Sequence, residues 1–326
     1  MADESAARAS EVAALFKIHG VDQRSSELVF THPALDDGGH ITLRQDGSNS
    51  EDFVPGTSTV IWPCAYSLGD FLCDATVANR ESGDAQRDDP SYAANLGAVT
   101  PSSVVVEIGA GLGLAGLVAA RLGAKKVSIT DATTQAARRN LDTAGLGNCT
   151  VDELWWQRAT WRRERGKAKA AKAKEGHSNA PATCDESNDE SEPESDDEEP
   201  AGTPDANETV KQLLKSLPDG ENPHMVIASD VCYSQGRREM QMLADTIGAL
   251  CGDDTIIYVM FEDRGDCCWG TLQHFWQATS AAGLEGDPTP VEDILIAGKA
   301  REGEGRSNDS ERLLLKLRRV RETPRE

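Results

Sequence analysis

Branched apolar residues fill four of the five positions from Val104 to Ile108, broken only by Glu107, and glycines follow at Gly109, Gly111 and Gly113. A run with so little polar alternation predicts a strand buried on both faces, as in a parallel sheet. Similar runs follow at Lys126–Thr130, Cys149–Leu154, Met225–Ser229, Thr255–Phe261, Glu292–Ala297 and Arg312–Arg318, and the first begins at Ser103. Between them lie helical patterns at Leu114–Leu122, Thr133–Thr143, Arg237–Leu250 and Trp269–Ala282. This alternation predicts an α/β fold, a doubly wound and mostly parallel seven-stranded sheet covered by helices on both faces. Only "GKAREGEGRSNDS" separates the last two runs, so they are expected to close the sheet as an antiparallel hairpin.

The first hundred residues carry weaker signals: a helical pattern at Ser5–His19, strand-like pieces at Glu27–Phe30 and His40–Leu43, and a loop at Glu81–Pro90. They are expected to form a capping extension, residues 1–100, on a domain spanning 101–320. A change of character interrupts that domain between Gln157 and Asn222. A basic run, "WRRERGKAKAAKAKEG", gives way to residues 185–199, which hold ten acidic side chains and no aliphatic one. Such a stretch cannot bury enough apolar surface to offset its chain entropy, so a disordered insertion is expected at about 160–220.

Composition narrows the partners. The chain of 326 residues has a formal net charge of −22, which repels nucleic-acid phosphates and favours basic partners. Its eight cysteines form no CxxC pair, so they are read as reduced thiols, with no metal expected. The amino terminus lacks the basic start and apolar core of a secretory signal. No stretch reaches the roughly 18 apolar residues of a membrane span. A soluble intracellular protein is expected, cytoplasmic or also nuclear, and monomeric.

A strand, a glycine turn, a helix and a second strand ending in an acid form a mononucleotide-binding half. Here the acid is Asp131, whose carboxylate can accept two ribose hydroxyls. Two ligands fit this spacing, because Gly111, Gly113 and Gly116 also satisfy the GxGxxG dinucleotide fingerprint. Glu107 weighs against a pyrophosphate, since a carboxylate two residues before the first glycine suits a positively charged ligand better. The sulfonium and amino group of S-adenosylmethionine supply that charge. An alternative role for Glu107 is to accept hydrogen bonds from nearby backbone amides.

These residues resemble the class I, seven-strand S-adenosylmethionine-dependent methyltransferases, whose first motif reads like "VVEIGAGLGLAG" with an acid ending the second strand. Within the class, the chain is similar to methyltransferase family 16, which contains many protein-lysine methyltransferases. "VIWPCAYSLGDFL", "DELWWQ", "VIASDVCYS", "FEDRGDCCWGTLQHFW" and "RLLLKLRR" carry the narrower likeness. The resemblance implies that Trp62 borders the cofactor and that Gly109, Ala110 and Gly111 wrap its amino-acid end, with Gly113 in the same turn. It further implies Asp131 at the ribose, Trp156 at the adenine and Ser229 near the methionine portion. Two positions depart from the family pattern: Trp155 replaces a small polar residue, leaving open which indole meets adenine, and Ser229 replaces a small apolar one.

Methyl transfer needs an aligned acceptor lone pair and excluded water more than an activated nucleophile. The DxxY at Asp230–Tyr233 is placed to serve a lysine: Asp230 to orient its ammonium, Tyr233 to shape the channel. Glu262 and Arg264 are further rim candidates. The readings carried forward are a protein-lysine methyltransferase, a methyltransferase for another protein residue or a small amine, an NAD-dependent oxidoreductase, and a catalytically silent binding module.

Overall fold

In the computed structural model, which describes residues 17–18, 21–35, 39–46, 58–156, 206–232, 236–263, 266–290 and 311–320, the apolar run becomes the central strand of a seven-stranded sheet. The chain opens with paired β1 (Lys17–Ile18) and β2 (Val21–Asp22), then the hairpin β3 (Glu27–Thr31) and β4 (His40–Arg44). Helices α1 (Pro63–Glu81) and α2 (Pro90–Asn95) lead into β5 (Val104–Ile108), α3 (Leu114–Arg121), β6 (Lys126–Asp131), α4 (Gln135–Ala144) and β7 (Cys149–Glu153). From residue 206 onward come α5 (Ala206–Ser216), β8 (Met225–Ser229), α6 (Arg237–Leu250), β9 (Ile256–Asp263), α7 (Asp266–Ala281), β10 (Leu284–Pro290) and β11 (Glu311–Arg319).

The order across the large sheet is β10-β11-β9-β8-β5-β6-β7. β7, β6, β5, β8 and β9 are mutually parallel, and β11 runs antiparallel between β9 and β10. The order reverses between β5 and β8, and beyond the carboxyl ends of those strands such sheets bind their ligands.

Side-chain alternation along β5 sorts the core into two layers. Val105 faces a layer with Leu68 of α1, Leu117 of α3, and Phe30 and Leu43 of the hairpin, while Val104, Val106 and Ile108 face Leu213, Leu243, Ile247 and Phe275 of α5–α7. The hairpin and α1 thus share the core of the sheet.

Four expectations need correction. Lys17 and Ile18, read as the end of a helix, pair with Val21 and Asp22 as strand; residues 5–16 lie outside the described residues. Helix α1 was not legible as a helix, because Ser67, Gly69, Thr76 and Asn79 sit on its buried face and dilute the apolar period. Residues 206–216, assigned to the disordered insertion, form α5, which buries Val210 and Leu213, with Leu217 buried just beyond it. That spacing of three and four is the helical signal, hidden by the acidic stretch upstream. The hairpin partner of the last strand is Leu284–Pro290 among the described residues, and the expected strand at 292–297 lies outside them. "LEGDPTP" reads as turn, yet β10 is an edge strand, where proline costs no ladder hydrogen bond. Gly286 belongs there because a Cβ would fall 1.9 Å from the Lys316 carbonyl oxygen.

Candidate functional site

β5 delivers the chain into a turn that keeps its backbone bare. Gly109 and Gly111 have φ of +62° and +56°, and a Cβ on Gly109 would lie 2.6 Å from Val231 Cγ1. The Ala110 amide donates to the Thr130 carbonyl (3.0 Å), and the buried Asn140 amide donates to the Leu112 carbonyl (3.1 Å). Asn140 Oδ1 accepts from the Arg44 amide at 2.8 Å, so one α4 side chain ties the glycine turn to β4.

Asp131 closes β6 and faces the turn. Its Oδ2 accepts from the Gly111 amide (2.9 Å), and its Oδ1 accepts from the Thr133 amide (2.8 Å), with the Thr133 hydroxyl oxygen 3.1 Å away. A carboxylate has about four acceptor positions, so Asp131 can still take ligand hydroxyls.

The segment before α1, with Ser58, Val60, Ile61 and Trp62, and Ala65 in the first turn of the helix build the opposite wall. Two buried glutamines hold it: Gln45 Oε1 accepts from the Ile61 amide (3.0 Å), and Gln23 Nε2 donates to the Ile61 carbonyl (2.8 Å). Ser229, Asp230 and Val231 at the end of β8 close the third side, and Trp156 beyond β7 also lines the cleft. The Asp230 amide donates to the Met260 carbonyl at 2.9 Å. Asp230 has φ +55° and is the sole non-glycine with positive φ among the described residues. An L-residue in this region is strained, and such strain gathers at functional sites.

The cleft therefore unites Trp62, Gly109, Ala110, Gly111, Asp131, Trp156, Ser229 and Asp230. Trp156 is the indole that lines it, while Trp155 Nε1 donates to the Glu153 carboxylate. Gly113 stands behind the cleft, at the N-cap of α3 against Ile129 and Ala137. Tyr233 and Arg264 lie outside the described residues. Glu262 is buried, its Oε1 4.0 Å from Arg312 Nε across the β9–β11 pair. Gln23, Gln45 and Asn140 were missed by sequence reasoning, since their partners lie 16 to 96 residues away.

Glu107 corrects the charge argument. It lies on the Val105 face of β5, fully buried beneath α3, where Oε2 accepts from the Gly116 amide at 2.9 Å. A Cβ on Gly116 would lie 2.6 Å from that oxygen. Burial, opposed by the Gly116 hydrogen bond and aided by the Asp131 charge, pushes the Glu107 carboxyl up to about 8, so the neutral acid prevails at pH 7. The negative lining comes instead from Asp131 and Asp230, the charged residues among the described residues that line the cleft. A pyrophosphate would meet these two carboxylates. A cationic, ribose-bearing ligand finds acceptors for both its charge and its hydroxyls. The neighbouring Cys232 thiol is held well above its usual range, first by burial and then by Asp230, so it offers no thiolate at neutral pH.

A five-strand parallel core ending in an inserted antiparallel strand, with this acid and glycine turn at its switch point, is the arrangement of the class I S-adenosylmethionine-dependent methyltransferases. Within that class, residues 42–167 match the family described as lysine methyltransferase. No curated protein matches the chain. Similar solved structures include ribosomal protein L11 methylase from Lactobacillus delbrueckii subsp. bulgaricus (13% identity, 77% of this chain and 80% of that one, TM-score 0.35). Others are the N-methyltransferase NodS from Bradyrhizobium japonicum WM9 (10%, 67% and 86%, 0.36) and a TehB-like S-adenosylmethionine-dependent methyltransferase from Corynebacterium glutamicum ATCC 13032 (10%, 68% and 81%, 0.36).

Proposed function

We propose that the protein methylates a lysine side chain of an intracellular protein. The observation that carries this reading is Asp230, a carboxylate fixed in strained backbone at the edge of the cofactor cleft, where an acceptor ammonium would sit. The family description over residues 42–167 supports it.

When bound, S-adenosylmethionine supplies a methyl carbon activated by a sulfonium. The residues of the chain do the rest. Asp131 accepts ribose hydroxyls, the Gly109–Gly111 backbone admits the amino-acid end, and Trp156 offers an apolar face to the adenine. A lysine arrives as ammonium, with a free pKa of ~10.4, and must shed a proton before its lone pair can attack. Asp230 holds that nitrogen in line. Because its charge favours the ammonium, its role is positioning rather than general-base work. Tyr233, three residues on, is assigned to the wall of the acceptor channel.

The net charge of −22 favours a basic protein partner. No helix among the described residues is long and apolar enough to cross a membrane. We place the protein in the cytoplasm, with access to the nucleus, as a monomer.

Transfer of labelled methyl groups into a native-organism lysate, with mapping of the modified residue, tests the reading. Methyl-lysine formed by wild type and lost in Asp230→Asn supports it. Label on another residue type or on a small amine overturns the substrate assignment. No transfer despite S-adenosylhomocysteine binding makes the protein a silent module, and NAD binding in its place makes it an oxidoreductase.

A further inference from the structure

Beyond the carboxylate expected to hold the ribose, a hydroxyl pair, Ser58 and Thr133, stands beside that carboxylate. Ser58 lines the cleft from the segment before α1, on the opposite wall from β6. Its Oγ lies 2.7 Å from Thr133 Oγ1, which also lies 3.1 Å from Asp131 Oδ1. A threonine hydroxyl has one proton and can satisfy only one of these acceptors fully. The shorter contact is to Ser58.

The same Oδ1 already accepts from the Thr133 amide at 2.8 Å, and Oδ2 from the Gly111 amide at 2.9 Å. Each oxygen thus has one of its two positions filled by backbone. If the Thr133 proton went to Asp131, Oδ1 would be full and one position would remain for two ribose hydroxyls. With the proton on Ser58, both oxygens keep a position open. Resting on the S-adenosylmethionine reading, we infer that Ser58 is a positioning residue for the cofactor: by accepting the Thr133 hydroxyl proton, it leaves Asp131 able to receive both ribose hydroxyls. Ser58 also makes ribose binding depend on the seating of the segment held by Gln23 and Gln45.

Calorimetric titration of the full chain with S-adenosylhomocysteine tests this in wild type, Ser58→Ala, Thr133→Val and the double variant. One hydrogen bond to a charged acceptor is at stake, so Ser58→Ala is expected to bind about tenfold more weakly. Thr133→Val removes the competing proton and should bind within about threefold of wild type, and the double variant should recover to that level. An analogue lacking both ribose hydroxyls should bind wild type and Ser58→Ala alike. A purely structural Ser58–Thr133 bond predicts the opposite, equal losses in all three variants. That result, or a Ser58→Ala affinity equal to wild type, overturns the inference and leaves the cofactor reading intact. Failure of wild type to bind S-adenosylhomocysteine overturns both. A misfolded Ser58→Ala is excluded by recovery in the double variant.

Discussion

Replacing Glu107 by glutamine tests whether the acid under the glycine turn carries charge. Its folded-state pKa of about 8 stands above the reference value of 4.5, with burial as the main cause. Between these values the folded protein holds a proton that the unfolded chain has released. The contribution is therefore fully present below pH 4.5, declines as pH rises, and levels off above 8. At about 1.4 kcal/mol per unit, it falls by roughly 3 kcal/mol up to pH 7 and by roughly 5 up to pH 8, as an order of magnitude.

Glutamine has no proton to lose. Its carbonyl can accept from the Gly116 amide as Oε2 does, and its amide group takes the place of Oε1, a buried atom with no hydrogen-bond partner. Leaving that amide unsatisfied costs about 1–3 kcal/mol, but the protonated acid leaves a hydroxyl in a similar position. The two proteins should thus be nearly equal in stability at pH 5, with the variant ahead by a few kcal/mol at pH 8. Urea unfolding of both proteins at pH 5, 6, 7 and 8 reads the difference, in which the other titrating groups cancel. Parallel profiles, or a variant that loses ground as pH rises, would mean that Glu107 is ionised in the fold. Affinity for S-adenosylhomocysteine should change only a few-fold, since Glu107 does not line the cleft.

Asp230→Gly removes the carboxylate and the left-handed strain together; unfolding free energy should hold steady or rise by about 1 kcal/mol, while methyl transfer falls at least a hundredfold, and a stable variant with wild-type turnover would refute the role of Asp230. His224 Nδ1 accepts from the Val104 amide at 3.1 Å, and burial lowers its pKa below the usual 6.5. The unfolded chain binds the extra proton first, so stability should fall as pH drops below 6.5 and the loss should vanish in His224→Asn, as read by thermal unfolding from pH 5 to 7. Asn140→Ala breaks two hydrogen bonds that join β4 to the glycine turn, and a loss of about 2–4 kcal/mol in chemical denaturation is expected, accompanied by weaker S-adenosylhomocysteine binding.

What could be read from the chain was whatever repeats locally. β8 and α6 match their expected limits, Met225–Ser229 and Arg237–Leu250, because each carries its own apolar period. The glycine turn and Asp131 were legible for a related reason: a bare backbone and a strand-ending acid are set by sequence spacing. α1 escaped because its buried face takes polar residues whose partners are supplied by tertiary structure. Thr76 accepts from the Val99 amide at 2.9 Å, and Asn79 donates to the Arg87 carbonyl at 2.8 Å. A polar residue satisfied by a distant backbone group looks, in the sequence, like one facing water.

Glu107 shows how the same blindness distorts chemistry. Sequence adjacency to the glycines suggests that it lines the ligand's notch, yet strand alternation places it with Val105, on the α3 face and away from the cleft. The conclusion drawn from its charge survives because two other acids, Asp131 and Asp230, supply it from strands that meet only in the sheet. The acidic lining is thus a property of the switch point between β5 and β8, where chain reversal brings the ends of β6 and β8 to either side of one turn. No single segment encodes it, and it would survive neutralising Glu107 but not exchanging Asp131 and Asp230 for their amides.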